Sequence, residues 1–570
     1  MQYGKISAKA GTVGVTTFSG INRRIRASAG EFSDMENLWH KEYPCLQSAP
    51  LAKDMGISMP NGAVPLKMMI PKRLDDEVTG FSGIMSGGIY VNGNRINTGF
   101  SISEFSDAVD YNGAFITVPE LKGANYLTQK SVCPVNLIHK MYFFNDYADE
   151  TAASITPKLY LTGANIPFSY FNVDFRKLFK VGDEIILSGL TDEFECNNTI
   201  FPKSSMDYSN TTSPVSIRIN GMSITGSNIN SECVLTMKIT NAKGENIGWP
   251  KGTGRTGDPN GFTETVIGTI TKKTPKGHHA CVAHNRLWVC SHTGEEINAS
   301  ALGKPLEFYE FNGTDADSWS GTVGTPGTFT GIAPWQNRVV VFKPDIIHVI
   351  YGDLPSAFGI EKTYAAGCID SKSIASVGGR LMWLYYDGFY AYSGGRPQRV
   401  SDKLHTQYIS CNAFSDGVRY YGRCTKIDGT TELVIYDSEL NLWSKITDID
   451  IISADYYKGK IYVCDKTAIY CLFGGEYGDF YAETPELTFD TFDDKSLIYA
   501  SVRCKIESGF LNIYTSVNGG EWIPHKGISK SGKHKLPIRY APGDTIRLRL
   551  EGSGNVCITE LNMEVLIKER

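Results

Sequence analysis

Six side chains able to bind a transition metal fall within fifteen residues: His278, His279, Cys281, His284, Cys290 and His292. Imidazole nitrogens and thiolates are zinc ligands, but a tetrahedral site needs them to converge on one point. On a strand, successive side chains leave on opposite faces, so His278 and His284 share one face while His279 and Cys281 share the other. The spacing therefore reads as polar strand positions and buried thiols. A second candidate is the carboxylate pair Asp315 and Asp317 beside Trp319. Two carboxyls roughly 5 to 9 Å apart perform acid–base chemistry in glycoside hydrolysis, and an indole face can stack on a sugar. Acidic loops commonly offer such a pair, so a solvated turn is the expectation. Gly252, Gly254 and Gly257 spell G-x-G-x-x-G, yet they follow Trp249-Pro250 and run into Asp258-Pro259. A dinucleotide fingerprint needs a strand before the first glycine and a helix after the last, so this segment reads as a linker. The chain contains no G-x-S-x-G elbow, phosphate loop, H-E-x-x-H or calcium loop. The sequence thus assigns no catalytic, cofactor-binding or metal-binding residue and predicts no cofactor.

The elements that would carry these residues follow one pattern. A turn, usually with a basic residue, leads into a β-branched or aromatic run at His284-Asn285-Arg286-Leu287-Trp288-Val289, at Gln336-Asn337-Arg338-Val339-Val340-Val341 and at Gly378-Gly379-Arg380-Leu381-Met382-Trp383. Their separations suit four short antiparallel strands with turns, which is the size of a propeller blade. Helical apolar spacing is scarce, so the prediction is an all-β fold: a β-propeller of about six to eight blades with an inserted small β-domain and a C-terminal β-sandwich.

In chain order, residues 1–60 read as a polar N-terminal arm carrying Arg23, Arg24 and Arg26, either a salt-bridge set or an anchor for a neighbouring subunit. Ser33-Asp34-Met35-Glu36 fits a capping box and predicts a short helix through Asn37-Leu38-Trp39. Residues 61–156 form the first part of the propeller, with an Asn92-Gly93 hairpin and further strands at Ala114–Val118 and Lys140–Phe144. Residues 157–262 read as the inserted domain, and 263–482 resume the blades. There Glu432–Asp437, a turn and Leu442-Trp443-Ser444 are similar to a kelch-type blade. Residues 483–570 predict the sandwich, with Asp544–Leu550 as an alternating strand and Thr515–Trp522 similar to the Asp-box hairpin of sialidases, Asn518 standing where Asp is usual.

The formal charge of -5 advertises no nucleic-acid or anionic-membrane surface. No window is long and apolar enough for a membrane span, and Met1–Gly20 lacks the pattern of a signal peptide, so a soluble chain made in the cytosol is expected. Thirteen cysteines, with no C-x-x-C pair, predict buried reduced thiols. In such a compartment the N-x-[ST] matches at Asn197, Asn210, Asn298 and Asn312 are chance.

Gly30–Leu38 in the arm, His284–Trp288, Val341-Phe342-Lys343, Gly367-Cys368-Ile369 and Gly388–Gly395 occur in an order that resembles the β-propeller virion proteins of tailed bacteriophages. That group includes the stabilisation or hub protein of the head-to-tail junction. The resemblance implies a virion component without enzymatic activity, assembled in the host cytoplasm as a homo-oligomeric ring, of the order of a hexamer. Its implied partners are connector or adaptor proteins and tail fibre or needle components, with no membrane anchor and no direct nucleic-acid contact. A competing reading is a carbohydrate-binding or glycan-cleaving phage tail protein, motivated by Trp319, Trp335 and Trp383. A third is a bacterial propeller scaffold with no viral role.

Overall fold

The structure, a computed structural model, describes residues 8–60 and 278–568 apart from 26, 291–294, 306, 364–365 and 539–541. Between 61 and 277 it describes the strands and a few adjoining residues. The fold is all-β: among the described residues the helical element is a single 3-10 turn, Ser371–Ser373, and no helix is long and apolar enough to cross a membrane. The chain divides into two compact units, residues 62–362 and residues 1–61 with 363–570.

In the unit 62–362, strands pair in sequence order as antiparallel meanders. Three have four strands: Pro65–Met69 to Asn94–Ile96, His279–Ala283 to Trp319–Thr322, and Gly331–Trp335 to Gly359–Thr363. A fourth, Phe105–Tyr111 to Thr128–Ser131, has three described strands. Ala283 pairs with Arg286, and Trp335 with Arg338, across two-residue turns. His284 and Asn285 both have φ of 53° and Gln336 has φ of 50°. This left-handed geometry matches the twist of the flanking strands, which is why the turn residue recurs before each basic residue. The runs behind these turns are buried together: Trp288, Cys290, Ile297, Val339, Val341 and Ile350 share one core.

The same unit contains a closed barrel, in the order Ile138–Phe144, Lys158–Thr162, Glu232–Thr240, Ser216–Thr225, Glu184–Ser188, Phe262–Lys272. The run Lys140–Phe144, read from the sequence as a blade strand, is a barrel strand, because it is paired on both sides, by Lys158–Thr162 and by Phe262–Lys272. An apolar run carries no label saying which sheet will take it.

In the unit formed by 1–61 and 363–570, three four-stranded sheets follow the meander pattern, from Ala375–Val377 to Gln398–Arg399, from Tyr408–Ser415 to Leu442–Ile446, and from Ser453–Tyr457 to Ala468–Cys471. The fourth strand of the last is Lys53–Ser58, supplied by the arm. The two-residue turns recur here, with Val377 opposite Arg380 and Tyr457 opposite Lys460. Two further sheets share one apolar core: Ala8–Val15, Leu38–Trp39, Leu46–Ser48, Lys495–Ile506, Gly532–Pro537 and Val556–Lys568 in one, and Asp34–Glu36, Asp479–Glu483, Phe510–Val517, Ile523–Pro524 and Ile546–Ser553 in the other. Ile546–Ser553 alternates buried and half-buried positions, as its period-two sequence requires.

The arm is built into these sheets. Ala8–Val15 pairs along its whole length with Val556–Lys568. The predicted helix is absent from its place: Asp34–Glu36 and Leu38–Trp39 are strands. The Ser33 hydroxyl donates to the carbonyls of Glu483 and Thr484, both at 3.2 Å, and the Glu36 carboxylate pairs with Lys445 at 3.4 Å. Asn37, at φ 56°, separates the two strands. Long-range partners thus take the groups that a capping box would have used locally. Gly20, at φ 69°, lets the arm pass close to the next layer, since a Cβ there would lie 2.3 Å from the Trp443 carbonyl. Arg23 is an intrachain ion-pair partner of Glu432 at 2.9 Å and Asp34 at 3.4 Å, and Arg24 bonds Asn22; Arg26 lies outside the described residues.

Candidate functional site

The connection from Glu296–Ala299 to Trp319–Thr322 is the long one in its sheet, and it is held from below by Arg286. Arg286 follows the His284-Asn285 turn and is buried. Its guanidinium donates to the carbonyls of Ser300 at 2.8 Å, Asp315 at 2.6 Å and Asp317. Burial lowers its pKa, with Asp317 and Tyr111 opposing that shift. The guanidinium cannot lose its proton at ordinary pH, so the three carbonyls stay bound to a fixed cation. Tyr111, from a neighbouring sheet, secures the turn by donating its hydroxyl to the Asn285 carbonyl at 2.8 Å.

Within the loop, the Asp317 carboxylate accepts backbone N–H groups from Asn312, Gly313 at 2.7 Å and Thr314 at 3.3 Å, and the Thr314 hydroxyl at 2.6 Å. The Thr314 hydroxyl and these amides hold its pKa below the ordinary carboxylate range, against the effect of desolvation. Backbone bonds close the base, from Leu302 N–H to the Ala316 carbonyl at 2.9 Å and from Ser318 N–H to the Glu310 carbonyl at 2.8 Å. On this frame Phe308 points into the core, whereas Tyr309 and Phe311 are 59% and 60% exposed. The two exposed rings flank Glu310 in a stretch outside the strands. Beside them are the Lys304–Glu310 ion pair and the exposed Asn312 and Asp315.

The structure separates the residues that the sequence singled out. Asp315 is exposed and Asp317 is buried with both carboxylate oxygens engaged in the turn, so the two do not face a common point as an acid–base pair. Trp319 packs against Trp288 and Phe358, each at 5.7 Å, and Trp335 is buried. Trp383, in the other unit, is buried and donates its indole N–H to the Gly367 carbonyl at 2.7 Å. The tryptophans proposed for sugar stacking are therefore core residues. His279 is paired with Cys290 across the hairpin, and burial pushes the Cys281 and Cys290 thiols up. His284 stacks on Phe358 at 6.2 Å. His292 and the glycine-rich segment 252–257 lie outside the described residues; among those described, no group of three His, Cys, Asp or Glu side chains is placed to hold a metal ion. The residues the sequence reading passed over are Tyr309 and Phe311. Their signal is the alternation Phe308-Tyr309-Glu310-Phe311 ahead of Asn312-Gly313, where a strand-like period meets a turn.

No protein-family model matches the chain, and no curated protein matches it. Among solved structures, the chain is similar to an exo-β-1,3-galactanase from Phanerochaete chrysosporium with galactose, at 9% identity over 51% of this chain and 96% of that one, with a TM-score of 0.22. A Trypanosoma rangeli sialidase with the inhibitor DANA is matched at 10% identity over 92% and 97%, also at 0.22. A family 29 carbohydrate-binding module is matched at 18% identity over 19% and 72%, at 0.10. Glycoside hydrolases stand among these matches, so the expectation of a chain without enzymatic activity is corrected on that finding. At such TM-scores they carry no substrate, residue role or shared fold across to this chain.

Proposed function

We propose that the chain is a tail-associated virion protein of a tailed bacteriophage that binds a saccharide on the 300–318 loop. In this reading the four-stranded meanders are propeller blades and serve as rigid carriers of the loop. The supporting observation is the pairing of a loop tied down through Arg286 and Asp317 with two exposed aromatic rings at Tyr309 and Phe311. Two rings each more than half exposed offer apolar area for a partner to cover. A loop already fixed by a buried arginine loses little conformational entropy on binding. Aromatic faces suit the apolar C–H face of a pyranose, and Asn312, Asp315 and Glu310 lie nearby to meet its hydroxyls.

A glycan array drawn from bacterial surface polysaccharides tests this, with the wild type beside Tyr309→Ala and Phe311→Ala. The expected result is saturable binding that weakens at least about tenfold in each variant, corresponding to about 1.4 kcal/mol. Glycan binding that survives the double variant, or a wild type that binds no glycan, refutes the proposal. Product analysis on any glycan bound decides whether cleavage follows binding.

The second reading, a ring-forming platform at the head-to-tail junction, is favoured by a separate patch. Ile409 and Ile427 are 54% and 63% exposed, each next in sequence to one member of the Tyr408–Lys426 pair. Mass photometry of the wild type and of Ile409→Asp, alone and with portal or tail proteins, tests it. Discrete oligomers lost in the variant support a ring, and a monomer under every condition rejects it.

A further inference from the structure

Ile25 and Phe492 are the most exposed large apolar side chains among the described residues, at 99% and 102% of full exposure. Each stands on a loop with a fixed base in the unit formed by 1–61 and 363–570. At the base of the first loop, the Asn22 N–H donates to the Phe32 carbonyl at 2.7 Å. The Glu31 carboxylate closes it, accepting the Asn22 side-chain amide at 2.7 Å and the Ser28 N–H at 2.8 Å and pairing with Lys403 at 3.0 Å. Arg23 turns back to Glu432, whereas Arg24 is exposed and donates to the Asn22 side-chain oxygen at 3.3 Å. The second loop runs from Leu487, bridged to Ile546, to Lys495, bridged to Gly543. Phe489 and Asp490 have φ of 54° and 56°, a conformation that residues with a side chain hold at a cost, and Phe489 packs on the apolar core. The Thr491 hydroxyl donates to the Asp493 carboxylate at 3.2 Å and accepts the Asp493 N–H at 3.1 Å. The tip so formed carries Phe492 with Asp490, Asp493 and Asp494 around it in sequence. Among the described residues no carboxylate pairs with Arg24, and no cation pairs with these three acids.

We propose that these loops are the two halves of one contact, in which the Arg24–Ile25 tip of one chain docks on the Phe492 tip of a second copy. This rests on the ring reading above and names a contact for it. Ile25 and Phe492 would remove each other's apolar area from water. The Arg24 guanidinium, with its five donors, would meet carboxylates that lack a cation within their own chain. The charges also choose the pairing, because two basic tips repel and so do two acidic ones. Since both loops are already tied down, little conformational freedom is lost on docking. A contact between two different surfaces leaves one tip of each kind open at the ends of a pair, and further copies add until the circle closes.

Sedimentation velocity of the full chain, over a concentration series reaching about 0.1 mM at low salt, tests this. The expected result is self-association that rises with concentration and weakens as salt is added. Ile25→Ser, Phe492→Ser and Arg24→Glu should each lower its affinity at least about tenfold. The two serine variants should melt with the wild type, since each replaced side chain is exposed to solvent in the single chain. Reversing both signs in one chain, Arg24→Glu with Asp494→Arg, should recover association that Arg24→Glu alone loses, which a misfolded variant could not do. A wild type that stays monomeric across the series overturns this inference together with the ring reading. Oligomers that persist in both serine variants, or a double reversal no better than Arg24→Glu, overturn this contact and leave the ring reading standing.

Discussion

Arg286 donates to the backbone carbonyl of Asp317, and the carboxylate of Asp317 accepts amide N–H groups from Gly313 and Thr314 just before it in the same loop. A buried cation and a buried anion thus fix one turn through its backbone. Arg286→Met keeps most of the side-chain volume but strips the donors from three carbonyls. The expected cost is about 3 kcal/mol, read as a lower urea midpoint. The same variant should weaken glycan binding although Tyr309 and Phe311 remain. Wild-type stability in the variant would show that the clamp contributes nothing.

Acid should act on the Arg23–Glu432 pair. Burial would raise the Glu432 pKa, but the hydrogen bonds and charge of Arg23, with help from Tyr408 and Lys426, bring it down to about 2. A carboxylate whose folded pKa lies below its unfolded one contributes stability above the unfolded value, and that stability is lost as pH falls through the folded one. The window therefore runs from about pH 4.5 down to about 2, and the amount is at most about 3 kcal/mol. Thermal melts of Glu432→Gln should show lower stability at pH 7 and a flatter profile across that window.

Two buried histidines should titrate in a higher window. Desolvation lowers the pKa of His348 to about 4, with Lys343 and Lys362 adding repulsion. His40, in the other unit, is lowered to about 4 by burial and the Arg419 charge, with Asp437 opposing. The unfolded chain takes up protons that the folded one refuses, so stability declines from about pH 6.5 and falls further until about pH 4. The imidazole signals of both residues in a pH series of NMR spectra should show no protonation at pH 5.5. Titration near 6.5 would contradict this.

Gly20→Ala should destabilise the unit that contains it. The added carbon would meet the Trp443 carbonyl, a backbone atom unable to swing aside, at a positive φ that alanine resists. The expected loss is about 2 to 4 kcal/mol. Limited proteolysis should then release the arm ahead of the rest of the chain. An arm as resistant as in the wild type would reject the prediction.

The all-β class, the two-residue turns before Arg286, Arg338 and Arg380 and the alternating strand that ends in Leu550 were legible in the residues themselves. Each rests on local sterics or on a period of two, and both are written within a few neighbouring positions. Partner choice is not local. Ser33 and Glu36 have the spacing of a helix cap, yet Glu483, Thr484 and Lys445 claim them. Asp315 and Asp317 look alike in the sequence, but only folding sends one outward and commits the other to its own turn. Residue type alone admits Trp319 and Trp335 to a binding surface or a core, and it does not mark Tyr309 and Phe311 for display. Tertiary packing decided these cases, because burial depends on what arrives from elsewhere in the chain, and a residue's type fixes only what it would gain once covered.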